Sequence, residues 1–447
     1  MKFIETLKNI WKIEDLRSRL VTTFLLVLIY RFGSYIVLPG IDPTALTALK
    51  AQTSGGLLAL LDMFSGGAFA NASVFALGIM PYISASIVIQ LLTIAVPSFQ
   101  KMQREGESGR RKMNQYTRYL TVLILLLQGP SYLINLNVQM AQAGATLPES
   151  FWFTASTTLI LAGGSMFVMW LGERITDKGI GNGISFIILV GIISRFPGAV
   201  IKEYASRLSD NGGGGLVMFL VEIVFLLLVI AASILLVQGT RKIPVQYAKR
   251  VVGNKQYGGV RQYIPLKINA AGVMPIIFAQ AIMFIPVTLA GFSHSESLNS
   301  FVGAFMNNTG VWYNLVFGLL IVAFTYFYTA ITINPTQMAD EMKRNNGFIP
   351  GIKPGKRTAE YLDEIMSRIT LPGSIFLAIV AIMPAFASLL GINQEFAQFF
   401  GGTSLLILVG VVLDTLQQIE SHLLMRHYDG LLKSGRIKGR SGGASAY

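Results

Sequence analysis

The sequence predicts an all-α membrane protein that crosses a lipid bilayer ten times, and three observations predict this class. Hydrophobic residues make up 52% of the chain and charged residues only 13%, whereas soluble domains carry about 25% charged residues. Apolar runs recur along the whole length, and several reach the roughly 20 residues that a spanning helix needs. Most of the 36 Lys and Arg residues fall in alternate connections between these runs, as expected when they collect on one side of a membrane.

The apolar runs divide the chain into ten predicted spans. Residues 1–19 alternate charged and apolar side chains, which fits either an interfacial amphipathic helix or an ordinary solvated helix. A shorter apolar piece, LLALLDMFSGGAF, precedes the second span and is too short to cross the membrane. The predicted spans are 20–38, 75–96, 119–138, 152–171, 183–201, 216–238, 270–290, 311–333, 371–390 and 401–421.

The distribution of basic residues orients the chain. They cluster before the first span, after spans two, four, six and eight, and in the tail 422–447. Cytoplasmic connections are enriched in Lys and Arg, so both termini are expected in the cytoplasm. The long connection 239–269 is predicted to form a basic hairpin around GNKQYGG, and 334–370 a Gly/Pro turn followed by a short amphipathic helix. Basic loops can merely fix topology, but loops of this length favour a docking surface.

Catalysis and metal binding have little support in the sequence. Charges at membrane depth reduce to Arg31, Glu222 and Asp414, on three different predicted helices. The chain has no cysteine, and its three histidines lie outside the spans or at their edges. The segment GIGNGIS, 179–185, lacks the following lysine and preceding strand of a phosphate-binding loop, and is predicted to open span five instead. We therefore expect no enzyme activity, no metal and no cofactor.

Two other functional classes remain as alternatives at this point. An ion-coupled secondary transporter would fit ten spans and broken helices, but transporters of that kind need ionisable groups at membrane depth, and these are scarce here. An intramembrane hydrolase would need a catalytic set that the spans do not contain.

The stretch FALGIMPYISASI, 75–87, carries a break at the start of a predicted span. Proline fits the first turn of a helix, and a preceding glycine permits a sharp entry, so Gly78 and Pro81 predict a helix that begins here. Irregular backbone at membrane depth is tolerated only inside protein or beside an aqueous cavity. The isoleucines 79, 83 and 87 then share one helical face that either lines such a cavity or simply packs.

A series of longer motifs resembles the SecY family, the channel subunit of the bacterial protein-export translocase. The resemblance runs from about residue 15 to 435 in the same order. It implies two inverted five-helix halves, 20–201 and 202–421, around an hourglass pore that is closed by a plug half-helix near 57–72. The motifs are FSGGAF, FALGIMPYISASIVIQLLT, EGESGRRK, QYTRY, MWLGERITDKGIGNGIS, YAKR, NPTQMAD, FIPGIKPG and FGGTSLLI.

The resemblance also implies roles for individual residues. A narrow apolar ring would dewet and stop ions, yet would form no hydrogen bonds that hold a sliding polypeptide. Ile87 lies a turn deeper and is expected to pack. The pore ring falls on Ile79, Ile83, Ile184, Ile188, Ile277 and Ile407, and the plug falls on Leu61, Asp62, Met63, Phe64, Ser65, Gly66 and Gly67. The polar positions of the lateral gate fall on Ser84, Gln90 and Gln128. These three residues are equally compatible with ordinary interhelical hydrogen bonds.

The basic loops are the predicted docking surface for a motor or ribosome. One position departs from the family pattern: Lys353 stands in GIKPG where the family usually has arginine. Lysine keeps the charge but lacks the planar donor fork, so a charge contact survives there and a bidentate contact does not. The predicted docking residues are Arg241, Lys242, Lys249, Arg250, Lys255, Lys353, Lys356 and Arg357.

The function implied by the resemblance is that of a passive protein-conducting channel in the bacterial cytoplasmic membrane. Unfolded preproteins would cross through the pore, and apolar segments such as signal sequences would leave sideways into lipid. The implied partners are the small membrane subunits SecE and SecG, the motor ATPase SecA, the translating ribosome, the membrane proteins SecDF and YidC, the preprotein with its signal sequence, and the lipid bilayer.

Overall fold

The computed structural model describes residues 11, 13–41, 62–142, 148, 150–208, 215–247, 250–252, 255–257, 261–290 and 310–433. In that part of the chain, each of the ten predicted spans contains a helix. The helices are α1 Glu14–Gly33, α2 Met80–Ala95, α3 Pro97–Arg104, α4 Glu107–Gln142, α5 Phe151–Lys178, α6 Gly183–Leu208, α7 Gly215–Gln238, α8 Met274–Ala290, α9 Val311–Thr332, α10 Pro335–Arg344, α11 Lys356–Leu389, α12 Gln394–Ala397 and α13 Gly402–Lys433.

Most of these helices have the length and composition of membrane spans. Among the described residues, seven are long and apolar enough on their own, namely α4, α5, α6, α7, α9 (with α10), α11 and α13. Helix α2 qualifies together with α3, from which it is bent by 102°. Helix α8 is a shorter apolar helix over Met274–Met283, and α1 contains Arg17, Arg19 and Arg31 within its length. The chain is a multi-pass membrane protein.

Several helices extend beyond the predicted spans because charged residues continue the helix outside the apolar region. Helix α4 begins at Glu107 rather than 119, and α13 continues to Lys433 rather than ending at 421. Helix α1 already begins at Glu14, so the end of the segment 1–19 is continuous with the first span; residues 1–10 lie outside the described part. Apolar content marks the membrane region of a helix and leaves its polar ends unmarked.

The break at the second span is present as predicted. Gly78 has a φ of 55°, a left-handed conformation that glycine adopts without a steric penalty. Pro81 lies in the first turn of α2, where its missing N–H costs no helical hydrogen bond. The helix therefore begins at Met80 instead of 75, and residues 74–79 form turns.

The plug segment is helical over a shorter stretch than predicted. Residues 62–64 are helical and 65–72 form turns, whereas the predicted half-helix continued to 72; residues 57–61, including Leu61, lie outside the described part. Gly66 and Gly67 have φ values of 64° and 94°, which end a right-handed helix. Asp62 and Ser65 accept hydrogen bonds from the backbone N–H groups of Ala70 and Phe69, so local side chains replace the helical ladder.

The two long basic loops share a three-stranded sheet, and the first loop also contains a separate two-stranded sheet. Strand β1 Thr240–Tyr247 pairs antiparallel with β4 Arg261–Lys267, and β2 Arg250–Val252 pairs with β3 Lys255–Tyr257 farther out. The predicted hairpin is therefore present. Strand β5 Gly347–Phe348, from the second loop, adds to the free edge of β1. The two loops are thus one structural unit, which sequence spacing did not indicate.

This sheet rests on helices that belong to the second loop. Ile243, Val245 and Leu266 are buried on one face of the sheet and pack against residues of α10 and α11. The predicted short amphipathic helix is not separate: it is the first part of α11, which continues through Pro372 into the ninth span. A proline inside a membrane helix is tolerated because neighbouring groups satisfy the freed carbonyl. Helix α10 had no counterpart in the sequence-based prediction.

The spans pack as two groups of five. In the first group α1 packs on α5, α2 on α4, α4 on α5 and α5 on α6; in the second, α8 packs on α9 and α9 on α11. Contacts of α6 with α7 and α13 join the groups. One large apolar cluster lies where the groups meet and includes the plug. A second cluster fills the C-terminal group.

Candidate functional site

The structure brings the six predicted ring isoleucines into one apolar cluster. These six isoleucines are called here the constriction. Three of its members, Ile79, Ile188 and Ile407, are each 3% exposed. The other three, Ile83, Ile184 and Ile277, are partly buried against the same cluster. Met63 and Phe64 of the plug segment are buried there as well. Ile87 is buried too but lies outside the constriction.

The secondary structure explains how four helices supply these side chains. Ile79 immediately precedes α2 and is one turn from Ile83, and Ile184 and Ile188 are one turn apart at the start of α6. Residues four apart lie on one helical face. Helices α8 and α13 each contribute one isoleucine, at 277 and 407. A β-branched side chain has few rotamers in a helix, so the constriction consists of stiff apolar groups.

A small cavity lies at the centre of the constriction. Its volume is about 10 Å³, which is room for about one water molecule, and four ring isoleucines from four different helices line it together with Phe64. Ile79 and Ile184 belong to the cluster but not to this lining. The lining residues are Phe64, Met80, Ile83, Ile188, Ile277, Gln280, Thr403 and Ile407. Two uncharged polar groups, Gln280 and Thr403, are the only polar side chains among them.

The plug segment contacts four residues on one side of the constriction, Tyr30, Arg31, Gly191 and Arg195. These four residues are called here the plug seat. Tyr30 donates a hydrogen bond from its hydroxyl to the carbonyl of Ser65 at 3.0 Å, and Arg31 donates from Nη1 to the carbonyl of Gly66 at 2.8 Å. Arg195 forms an ion pair with Asp62. The plug segment is therefore held by directional bonds from α1 and α6.

Gly191 lets the plug approach α6 closely. A Cβ atom at this position would lie 2.9 Å from the carbonyl oxygen of Phe64 and 3.1 Å from the nitrogen of Gly66. Both neighbours are backbone atoms, so neither can move aside by a rotamer change. Any larger side chain at 191 would have to push the plug segment away from the helix.

The predicted gate residues are placed along α2 and α4. Ser84, Gln90 and Gln128 are all half-buried. In the described part of the chain, none of the three side chains forms a hydrogen bond. Helix α2 packs mainly on α4, and α8 packs mainly on α9. The seam between these two pairs of helices is the place where the gate was predicted.

The predicted docking residues are exposed where their side chains are described. Arg241 and Lys242 lie on β1, Lys353 lies in the turn before α11, and Lys356 and Arg357 are the first two residues of α11. Lys249 lies outside the described residues, and for Arg250 and Lys255 only the backbone, in β2 and β3, is described. Since β5 pairs with β1 at Tyr247 and Gly347, the basic residues of both loops belong to one surface.

Sequence reasoning did not predict the ion pairs that two charged residues, Asp62 and Glu222, form with arginines of other parts of the chain. Arg195 was not among the predicted site residues, because its partner Asp62 is remote in sequence. Glu222 was recognised as an intramembrane charge, and its partner is Arg207, which lies 2.6 Å away and also binds Glu203. The sequence did contain a signal for this pairing, because an acid lies in one span and an arginine lies near the end of the preceding helix.

The two groups of five helices and the apolar constriction between them define the class: a polytopic α-helical membrane channel. The family model for SecY matches residues 73–416 of the chain. A protein translocase subunit SecY of Streptomyces scabiei is 44% identical over 436 residues, which cover 95% of this chain and 98% of that protein. The chain belongs to the SecY family, a family of protein translocase subunits and not of enzymes.

Solved channel structures share the fold. A structure described as showing that the plug domain of the SecY protein stabilises the closed state has a TM-score of 0.61 and 17% identity, covering 91% of this chain and 92% of that one. Sec61 in the canine ribosome–channel complex has a TM-score of 0.57 and 16% identity, covering 91% and 92%. The predicted arrangement of two five-helix halves around a pore agrees with this fold.

Proposed function

We propose that the six isoleucines of the constriction are the ring through which this translocase subunit passes unfolded preproteins. One observation carries the proposal: Ile83, Ile188, Ile277 and Ile407 come from four different helices in both halves and line one cavity. Isoleucines that merely packed two neighbouring helices would not need to converge from both halves on a shared empty space.

The chemistry of the constriction suits this task. Apolar walls around a narrow space favour expulsion of water, and ions do not cross a dewetted gap. The isoleucines offer a passing chain only nondirectional contacts, and the hydrogen-bonding side chains that line the cavity beside them are Gln280 and Thr403. A translocating chain of any sequence then slides with little friction, while the resting channel stays closed to ions.

The plug proposal rests on the position of Phe64. This side chain is buried in the same cluster as the ring isoleucines and lines the cavity with them, and the bonds of the plug seat hold the segment Asp62–Gly67 there. A preprotein must displace the segment in order to pass. The related structure that attributes the closed state and the membrane seal to a plug domain supports the same role here.

We assign lateral release of transmembrane segments to the seam between the α2–α4 pair and the α8–α9 pair. Ser84, Gln90 and Gln128 would be the polar residues of this gate. Their side chains carry no hydrogen bond in the described structure, so separation of the helices there breaks none. An apolar segment in the pore would exchange protein contacts for lipid at this seam.

The basic surface of the sheet would dock the partner that drives transport. Exposed Lys and Arg residues on β1 and around the start of α11 attract acidic surfaces, such as those of the motor ATPase SecA or of a ribosome. The ribosome-bound relative supports the second partner. We infer that this surface lies in the cytoplasm of a bacterium, together with both termini and the segments 1–19 and 422–447. The proposed membrane partners are SecE and SecG, with SecDF and YidC as further partners.

Conductance across planar bilayers tests the proposed function. The reconstituted channel alone should be almost silent, and addition of the motor, ATP and a preprotein should open it while the preprotein crosses. An ion-coupled transporter would instead carry solute at a rate set by an ion gradient, without a preprotein. Solute transport that depends on a gradient, with no response to motor and preprotein, would refute the channel assignment.

A further inference from the structure

The plug seat contains an ion pair between a buried carboxylate and a cation from a different span. Asp62 is only 7% exposed. One of its oxygens contacts Nη2 of Arg195 on α6. The other, Oδ1, accepts a hydrogen bond from the N–H of Ala70 at 2.7 Å. The same carboxylate therefore shapes the turn of the plug segment and ties that turn to a membrane helix.

Arg195 lines an open cavity on the side of the constriction opposite the basic sheet. This cavity has a volume of about 250 Å³, and Arg31, Lys202 and Glu395 also line it. Arg31 binds a backbone carbonyl of the plug, and Lys202 lies 2.6 Å from Glu395. Among the described cations of the cavity, Arg195 alone pairs with a carboxylate of the plug segment.

We propose that the Asp62–Arg195 ion pair is an electrostatic latch that positions the plug in the constriction, and that the ionic strength on its open side tunes the latch. The proposal rests on the plug role assigned above. The two partners differ in exposure: the side chain of Arg195 is 33% exposed and that of Asp62 is 9% exposed. Water can therefore solvate the guanidinium as the pair breaks, whereas the carboxylate must leave with the plug.

The physical consequences follow from this asymmetry. A buried charge that loses its partner is strongly destabilised where it is, so breaking the pair favours departure of the whole plug segment over a small local adjustment. A partly exposed pair also weakens in salt, because the Debye length falls from about 10 Å at 0.1 M to about 3 Å at 1 M. Salt on the cavity side reaches Arg195 through the open cavity, while salt on the other side meets the closed constriction.

The experiment measures the frequency of spontaneous openings of the reconstituted full-length channel, without a motor or preprotein. Asp62→Asn keeps an oxygen for the Ala70 N–H but removes the charge, and Arg195→Gln removes the other partner. Each should raise the opening frequency about tenfold, which corresponds to about 1.4 kcal/mol. The double variant should open no more often than the worse single variant, because both singles break one pair. Salt raised to 1 M on the cavity side should increase openings of the original chain but not of Arg195→Gln.

Lys202→Gln is the matched control, since it removes the same charge from the same cavity without touching the plug. An equal rise in this control would replace the latch with a general effect of cavity charge. A channel lacking residues 60–70 separates the two proposals. If that deletion opens often while Asp62→Asn and Arg195→Gln stay quiet, the latch is wrong and the plug role stands. If the deletion also stays quiet, the plug role itself is wrong.

Discussion

The constriction and the plug seat lie side by side but are built from opposite kinds of interaction. The constriction consists of isoleucines whose contacts have no preferred direction, and its central cavity contains no charged group. The plug seat holds its segment with a tyrosine hydroxyl, an arginine hydrogen bond and an ion pair. Under the proposed function, this difference means that the isoleucines on the path of the moving chain offer no directional bonds, whereas the resting place of the plug depends on them.

The largest expected effect comes from adding a hydrogen-bonding group to the constriction. Ile188→Asn or Ile83→Asn should favour water in the central cavity and raise ion leak through the resting channel strongly, while a polar preprotein still passes. Conductance and export of a reporter preprotein measure the two outcomes.

Ile87→Asn is the control, because it introduces the same polar side chain at a buried position outside the constriction. Truncating a buried isoleucine costs about 2–5 kcal/mol, so we expect an unfolding cost of that order at Ile87 and Ile188, which are buried, and a smaller cost at Ile83, which is partly buried. Only the two sites in the constriction should leak. Leak of the same size in Ile87→Asn would mean that loosened packing, and not wetting of a ring, causes the conductance.

A smaller effect is expected when the plug is pushed out of its seat without a change in charge. Gly191→Ala places a methyl group against the backbone of Phe64 and Gly66, so the plug segment must shift and spontaneous openings should become more frequent. Gly198→Ala is the matched control on the same helix, because a Cβ there meets no atom within 4 Å. Openings that rise equally in both variants would show that stiffening of α6, and not displacement of the plug, is responsible.

The smallest effect per residue is expected at the docking surface. Exposed charges contribute about 0.2–1 kcal/mol each, so single reversals should weaken partner binding only modestly. Arg241→Glu combined with Lys353→Glu should lower the affinity for a motor or ribosome, and the loss should diminish in high salt. Arg111→Glu, an equally exposed reversal outside the two loops, should leave affinity unchanged. Normal binding by the double variant at low salt would contradict the docking proposal.

The sequence predicted the constriction better than the plug seat, and the reason is physical. Ile79 and Ile83 are neighbours on one helical face, so periodicity places them together, and the family motifs supplied the other members. Asp62 and Arg195 are far apart in sequence, and each alone is an ordinary charge near a membrane surface. Only the tertiary fold brings them into contact.

The same distinction holds for the fold as a whole. Each of the ten spans that hydropathy predicted contains a helix, because burial in lipid depends on composition. Hydropathy did not locate the charged ends of α4 and α13, or the continuity of α11 through Pro372. The pairing of β5 with β1 joins loops that are separated by two spans. Long-range pairing of this kind leaves no periodic pattern in a single sequence.

The most direct test asks whether a translocating chain touches the constriction. Because the chain has no cysteine of its own, single cysteines can be placed in turn at 79, 83, 184, 188, 277, 407 and 87, with one cysteine in a preprotein arrested during transport. Disulfides should form at the six ring positions and far less at 87. Equal crosslinking at all seven positions would contradict the account and return these isoleucines to ordinary helix packing.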